Sequence, residues 1–136
     1  MKPVNPPRLA PPKGFSHGVL APAGGRTLYV AGQVGDDASG RIACADFPGQ
    51  FRRALENVLE VVQAAGGNAG HLVRMTVYVT NLSLYRDARE ELGRVWREVI
   101  GKTYPAMALL EVKGLYEPGA LVEIEATAVI PPETAR

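Results

Sequence analysis

Two stretches of the chain repeat apolar residues at intervals of three and four, and the remainder alternates or runs apolar over short lengths. The first stripe passes through Phe47, Phe51, Ala54, Leu55, Val58, Leu59, Val62 and Ala65, the pattern that an amphipathic helix turns to a core. Asp46 stands before it as a cap for free backbone amides, Pro48 is tolerated in the first turn, and Gly66-Gly67 accepts the left-handed backbone that closes a helix. The second stripe, Leu84, Ala88, Leu92, Val95, Trp96 and Val99, follows Ser83 as the expected cap and stops at Gly101. Strands are predicted over 18–20, 27–31, 41–43, 71–79, 106–112 and 121–130. The order is βββαβαββ, an α+β domain. Its two strand-helix-strand crossovers are expected to be right-handed, which lays both helices on one face of a single sheet.

The period of two then sorts the strand residues by face. In the last strand Val122, Ile124, Ala126, Ala128 and Ile130 point to the helices, and Leu121, Glu123, Glu125, Thr127 and Val129 point away. In the strand after the first helix, Val73, Met75, Val77 and Val79 separate from Leu72, Arg74, Thr76, Tyr78 and Thr80. The second face mixes Leu72, Tyr78, Leu109, Leu121 and Val129 with a few charges. That is the composition of a surface covered by another subunit, so a homo-oligomer is expected.

With 136 residues, 46% of them hydrophobic, the chain can build one core and not two of ordinary size. Residues 1–13 hold five prolines and no apolar run, and read as an extended arm that is neither a signal peptide nor a membrane span. Residues 14–130 form the domain, and the tail 131–136 begins with two prolines that stop the last strand. Fifteen basic against fourteen acidic residues leave a net charge of +1, without the basic excess of a nucleic-acid surface. The single cysteine, Cys44, excludes an intramolecular disulfide and favours a cytoplasmic location, and no Cys/His spacing suggests a metal.

Several apparent motifs fail. Gly101-Lys102-Thr103 lacks the glycine that a phosphate loop needs five residues earlier, where Trp96 stands. Gly66-Gly67-Asn68-Ala69-Gly70 follows a helix and not a strand, so it is no dinucleotide fingerprint. Cys44 has no base nearby in sequence to activate it.

Five segments taken together are informative: Phe15-Ser16-His17-Gly18-Val19, Val30-Ala31-Gly32-Gln33, the helix around Ala54-Leu55-Glu56-Asn57-Val58, Tyr104-Pro105-Ala106-Met107, and Val122-Glu123-Ile124-Glu125-Ala126-Thr127-Ala128-Val129. In this order they closely resemble the RidA/YjgF family of imine and enamine deaminases, over about residues 14–130. The resemblance implies a chorismate-mutase-like fold and a homotrimer with a small-molecule pocket at each subunit interface. It also implies hydrolysis of 2-aminoacrylate-like intermediates to 2-oxo acids and ammonia, without metal or organic cofactor.

The same resemblance marks departures. The deaminating members carry at the position of Met107 an arginine that holds the substrate carboxylate, a task suited to a bidentate guanidinium. A thioether offers no charge and forms an apolar, adaptable wall, or simply packs within a strand pair. The family's pocket tyrosine corresponds to Phe15, and its Ser-Gly-Gln strand end is Ala31-Gly32-Gln33. These substitutions all remove polar groups, so Phe15, Ala31 and Met107 are expected to line a more apolar cavity, with Gly32 beside them at the binding site. Glu123 aligns with the glutamate that orders the attacking water; the alternative is an ion pair with Arg74 at an interface. Glu125 points the same way with a weaker claim. Arg89 falls near a helix position that carries an asparagine in some members and could supply a relocated cation, unless Arg86, Arg89 and Arg94 form a solvated helix face. His17 is a proton donor or a plain loop histidine.

The expected function is therefore that of a RidA-like protein binding a small metabolite, with an altered enamine or imine deaminase activity centred on Glu123. The alternative is a non-catalytic ligand-binding or regulatory trimer.

Overall fold

The computed structural model describes residues 1–133. The elements are β1 (Lys2–Val4), β2 (Gly18–Leu20), β3 (Arg26–Val34), α1 (Phe47–Ala64), a 3-10 turn (Ala69–His71), β4 (Leu72–Val79), α2 (Leu82–Asp87), α3 (Arg89–Val99), β5 (Ala106–Glu111) and β6 (Val122–Ile130). The main sheet has the order β3-β6-β4-β5, with β6 antiparallel to both neighbours and β5 parallel to β4. One α+β sheet backed by helices is thus the observed architecture.

Helix α1 forms as its sequence predicts. The Asp46 carboxylate accepts from the Gly49 amide at 3.1 Å, Pro48 lies in the first turn, and Gly66 turns the chain away at φ +87°. Its stripe of Phe51, Ala54, Leu55, Val58 and Val62 is buried against Val77, Ile124, Ala126 and Ala128 of the sheet. Burying each large side chain of this kind contributes about 1.5–3 kcal/mol.

Gln50 is the one polar residue of this face that is almost wholly buried, and it is fully used. Its Nε2 donates to the carbonyls of Cys44 (2.9 Å) and Gly119 (3.1 Å), and its Oε1 accepts from the Leu121 amide at 2.8 Å. It ties the loop before α1 to the entry of β6. Gly35 is required beside it, because a Cβ there would stand 2.7 Å from the Gln50 carbonyl oxygen.

Four local expectations are corrected. Residues 41–43 form only an isolated bridge, Asp36 with Ile42, because the loop they occupy bends at once into the cap of α1. The second helix is capped by Asn81, whose side chain accepts from Ser83, and it breaks at Ala88 into α2 and α3. Leu72 lies in the core and not on the open face. One extra residue in β4 between the Leu72–Ala128 and Arg74–Thr127 pairs makes a bulge that flips it. Leu109 pairs with Val77 and so shares the helix side with Met107, leaving Ala106, Ala108 and Leu110 on the open face.

The amino-terminal arm is tied to the domain: Lys2–Val4 pairs antiparallel with Gly18–Leu20. Of the tail, residues 134–136 lie outside the described residues. Among the described residues no helix is long and apolar enough to cross a membrane.

Candidate functional site

The sheet divides the expected site residues between its two faces. On the open face, β3 carries one more residue than β6 between the Val30–Ala126 and Gln33–Ile124 pairs. This bulge contains Ala31 and Gly32, both exposed. Glu123 lies directly against it: a Cβ on Gly32 would stand 2.6 Å from Glu123 Oε2 and 2.8 Å from its Cδ. Glycine at 32 therefore makes room for the carboxylate. Asn57 fixes the strand end beyond, its Nδ2 donating to the Val34 carbonyl at 2.9 Å and to Asp36 Oδ1 at 2.9 Å. Glu123 has no ion-pair partner within 4.0 Å among the described residues, so the expected bridge to Arg74 is not formed within the chain. Arg74 stands farther along the strand, opposite Thr127.

Glu125, two residues on, accepts a hydrogen bond from the Tyr78 hydroxyl. That bond is the main reason the Tyr78 phenol is held above its usual range, with burial and the carboxylate charge acting the same way. Glu125 is thereby engaged and Glu123 left open.

On the other face, Met107 lies half-buried beside Met75 and packs against the core. It lines a cleft of about 350 Å³ between α3 and the edge of β5. Phe51, Tyr85, Trp96 and Tyr104 supply aromatic walls, and Arg89 reaches the same cleft. The walls are organised in two groups. Tyr85 meets Phe51 edge-on with ring centres 6.1 Å apart, and Trp96 stacks on Tyr104 at 6.3 Å with planes 12° apart. Trp96 Nε1 donates to the Thr103 carbonyl at 3.1 Å, which fixes the indole. Burial pushes the Tyr85 phenol up, so its hydroxyl stays neutral.

Phe15 and His17 belong to a third position. Ser16 stitches their segment to the cleft-forming loop, its amide donating to the Pro105 carbonyl at 3.0 Å and its hydroxyl to the Tyr104 carbonyl. Phe15 and His17 meet edge-on at 5.4 Å. His17 Nε2 lies 2.7 Å from the Ala10 carbonyl and its amide donates to Asn5 Oδ1 at 2.7 Å, so the residue secures the proline-rich arm. The cleft wall near this segment is formed by Lys13 and Gly14, not by Phe15 or His17.

The helical stripes account for Phe51, Trp96 and Leu92 as core residues and give no signal for Tyr85, Arg97 or Lys13. The structure gives all six to the cleft wall. The available signal was the helical spacing Arg89, Gly93, Arg97, a glycine flanked by cations one turn away on either side. Cys44 donates its thiol to Asp46, which holds the thiol above its usual range and so disfavours the thiolate. Among the described residues no group of three or more His, Cys, Asp and Glu side chains is gathered as a metal would need.

One main four-stranded sheet backed by helices on one face defines the class. The family model described as Endoribonuclease L-PSP matches residues 6–130. A crystal structure from Yersinia pestis, of the conserved Rid family protein YyfB, superposes with a TM-score of 0.82 at 33% identity, covering 95% of this chain and 98% of that one. The human 2-iminobutanoate/2-iminopropanoate deaminase is 30% identical over 110 residues, 80% of this chain and 77% of the relative. A RutC family protein of Pyrococcus horikoshii is 32% identical over 105 residues, 76% of this chain and 79% of its own. The chain belongs to the RidA/YjgF family.

Proposed function

We propose that this chain assembles as a homotrimer and binds a small metabolite in clefts between subunits, where it hydrolyses an enamine or imine to a carbonyl product and ammonia. The observation that carries this reading is the placement of Glu123 and Met107 on opposite faces of one sheet. In this reading the Glu123 of one copy, on its open face, meets the Met107 cleft at the β5 edge of another. The exposure of Tyr29 (79%) and Leu110 (48%) on that face supports such a covering.

In the reaction, an enamine is first protonated at carbon to give its imine; Glu123 then takes a proton from water as the oxygen adds to the C=N carbon and passes that proton to the nitrogen. The carbinolamine then collapses: the C–N bond breaks, ammonia leaves, and the hydroxyl proton is lost as C=O forms. Water is consumed and no electrons are exchanged, so the step requires no cofactor. In this reading Met107 and Arg89 contact the ligand, Ala31 and Gly32 flank the Glu123 that reaches it from a neighbouring copy, and Phe15 and His17 stand on the segment that Ser16 docks against the cleft-forming loop. The balanced charge argues against a nucleic-acid substrate, and the lone Cys44 fits a reducing cytoplasm.

The test generates 2-aminoacrylate or 2-aminocrotonate with a dehydratase and measures ketoacid release while semicarbazide competes for the imine. Acceleration that Glu123→Ala abolishes supports the reading. No acceleration by the parent chain, together with activity in Met107→Arg, would refute it for small imines. Met107 itself favours a second reading, a non-catalytic ligand-binding or regulatory trimer, in which Glu123→Ala leaves ligand affinity unchanged.

A further inference from the structure

Arg89, Gly93 and Arg97 follow one another at four-residue intervals along α3, so they share one face of the helix with Trp96 beside them. Gly93 has no side chain to fill the space between the two guanidinium groups. A Cβ there would meet nothing closer than Arg97 Nη1 at 3.5 Å, which places the Arg97 head group across this turn. Both arginines are exposed and line the cleft, and Lys13 joins them from the amino-terminal segment. None of the three has a carboxylate within 4.0 Å among the described residues. Among the described residues the helix arginine that does form an ion pair is Arg52, matched with Glu98. The cations at the cleft are thus without internal counter-ions, and the wall below them is Trp96, Tyr104, Phe51, Tyr85 and Met107.

Resting on the reading that this cleft is the ligand site, we infer that it takes a carboxylate with a flat, aromatic body. The carboxylate is held at the mouth by Arg97 and Arg89, and the ring lies against the Trp96–Tyr104 stack and the Met107 thioether. Three features select this class. Planar guanidinium groups recognise carboxylates in a fork. The aromatic walls and a methionine favour a flat apolar group over a single methyl. A volume of about 350 Å³ exceeds what a three- or four-carbon acid would fill. The cations stand on the helix rim, so the carboxylate is held at the mouth and the interior is left for the ring.

Trp96 is the only tryptophan in the chain, so its fluorescence reports this cleft. The full-length protein is titrated with phenylpropanoate, with its neutral amide, and with propanoate. The expected result is saturable binding of phenylpropanoate about tenfold or more tighter than either of the others. In the double variant Arg89→Gln with Arg97→Gln, checked for folding by circular dichroism, the preference for acid over amide disappears while amide binding is unchanged. Equal binding of acid and amide by the parent chain would overturn the inference without any variant. So would equal binding of propanoate, absence of phenylpropanoate binding, or a double variant that keeps the acid preference. Phenylpropanoate carries no imine, which separates this inference from the reaction. Aromatic-acid binding without hydrolysis of any imine leaves the inference standing and refutes the catalytic reading. Hydrolysis of small imines without aromatic preference does the reverse.

Discussion

Gly93 occupies the middle of α3 with an ordinary helical backbone, since it is absent from the glycines that adopt positive φ. Nothing in its conformation requires glycine. Replacing glycine by alanine in a helix interior gains about 0.5–1 kcal/mol, because the unfolded chain loses freedom and the helix loses none. Packing adds no penalty here, for the new Cβ would meet Arg97 Nη1 at 3.5 Å, an ordinary contact with the far end of a flexible side chain. Gly93→Ala is therefore expected to raise stability by about 0.5–1 kcal/mol and the unfolding midpoint by roughly 2–4 °C. Urea and thermal unfolding at one fixed protein concentration measure this, the concentration being held because assembly would shift the midpoint. A loss of stability would refute the argument, by showing that the glycine serves packing. The companion variant Gly93→Leu extends a branched side chain into the cleft: it is expected to remain folded and to lose phenylpropanoate binding. Unchanged binding in that variant would show that the cleft is not the ligand site.

Three other outcomes follow from the same geometry. Gln50→Leu leaves the Leu121 amide and two carbonyls without their partner inside the fold, and is expected to cost about 3 kcal/mol in urea unfolding. The Asp46 carboxyl is held below its usual value by hydrogen bonds from the Cys44 thiol and then from the Gly49 amide. Its depressed folded-state value means that its contribution is present above the ordinary carboxylate range and is lost as pH falls through the depressed value. Asp46→Asn should accordingly flatten the acid limb of stability against pH, and Asp46→Ala should cost about 1 kcal/mol at neutral pH. Gly32→Ala places a methyl 2.6 Å from Glu123 Oε2 and must swing the carboxylate aside. Imine hydrolysis is expected to fall on the order of 10–100-fold, with phenylpropanoate binding retained; a full rate would remove Glu123 from the reaction.

The legible parts of this fold were those written as periodicity. The α1 stripe, its Asp46 cap and the inward set Val122, Ile124, Ala126, Ala128 and Ile130 all stand as the pattern predicts. Where register slips by one residue, alternation misleads. The β4 bulge sends Leu72 to the core, and no composition signal announced it, since an isolated leucine suits either face. The Ala88 break was equally silent, because alanine is a good helix former and the stripe continues through it. For the site, Met107 and Arg89, both candidates from the sequence, line one cleft. It could not place Phe15 and His17, whose contacts are with the arm and depend on how Ser16 docks against Pro105. The aromatic walls were hidden for a different reason: Phe51 and Trp96 satisfy the helix stripe and line the cleft at once, so burial explains them before function is needed.

The Met107 position shows why the charge sits where it does. A guanidinium at 107 would emerge beside Met75, which is fully buried, among Phe51, Trp96 and Tyr104. Without a bound carboxylate that cation would be poorly solvated, and with Arg89, Arg97 and Lys13 already at the mouth it would add a fourth positive charge to the same cleft. On α3 the arginines keep their head groups in water when the cleft is empty, and desolvation is deferred until a ligand arrives to compensate it. Met107 and the rim arginines are therefore parts of one arrangement. Met107→Arg alone moves the anchor inward without removing the outer one, so it tests the depth at which a carboxylate is held as well as the presence of a charge. Propanoate should gain from the inner anchor, and phenylpropanoate should lose the space its ring needs.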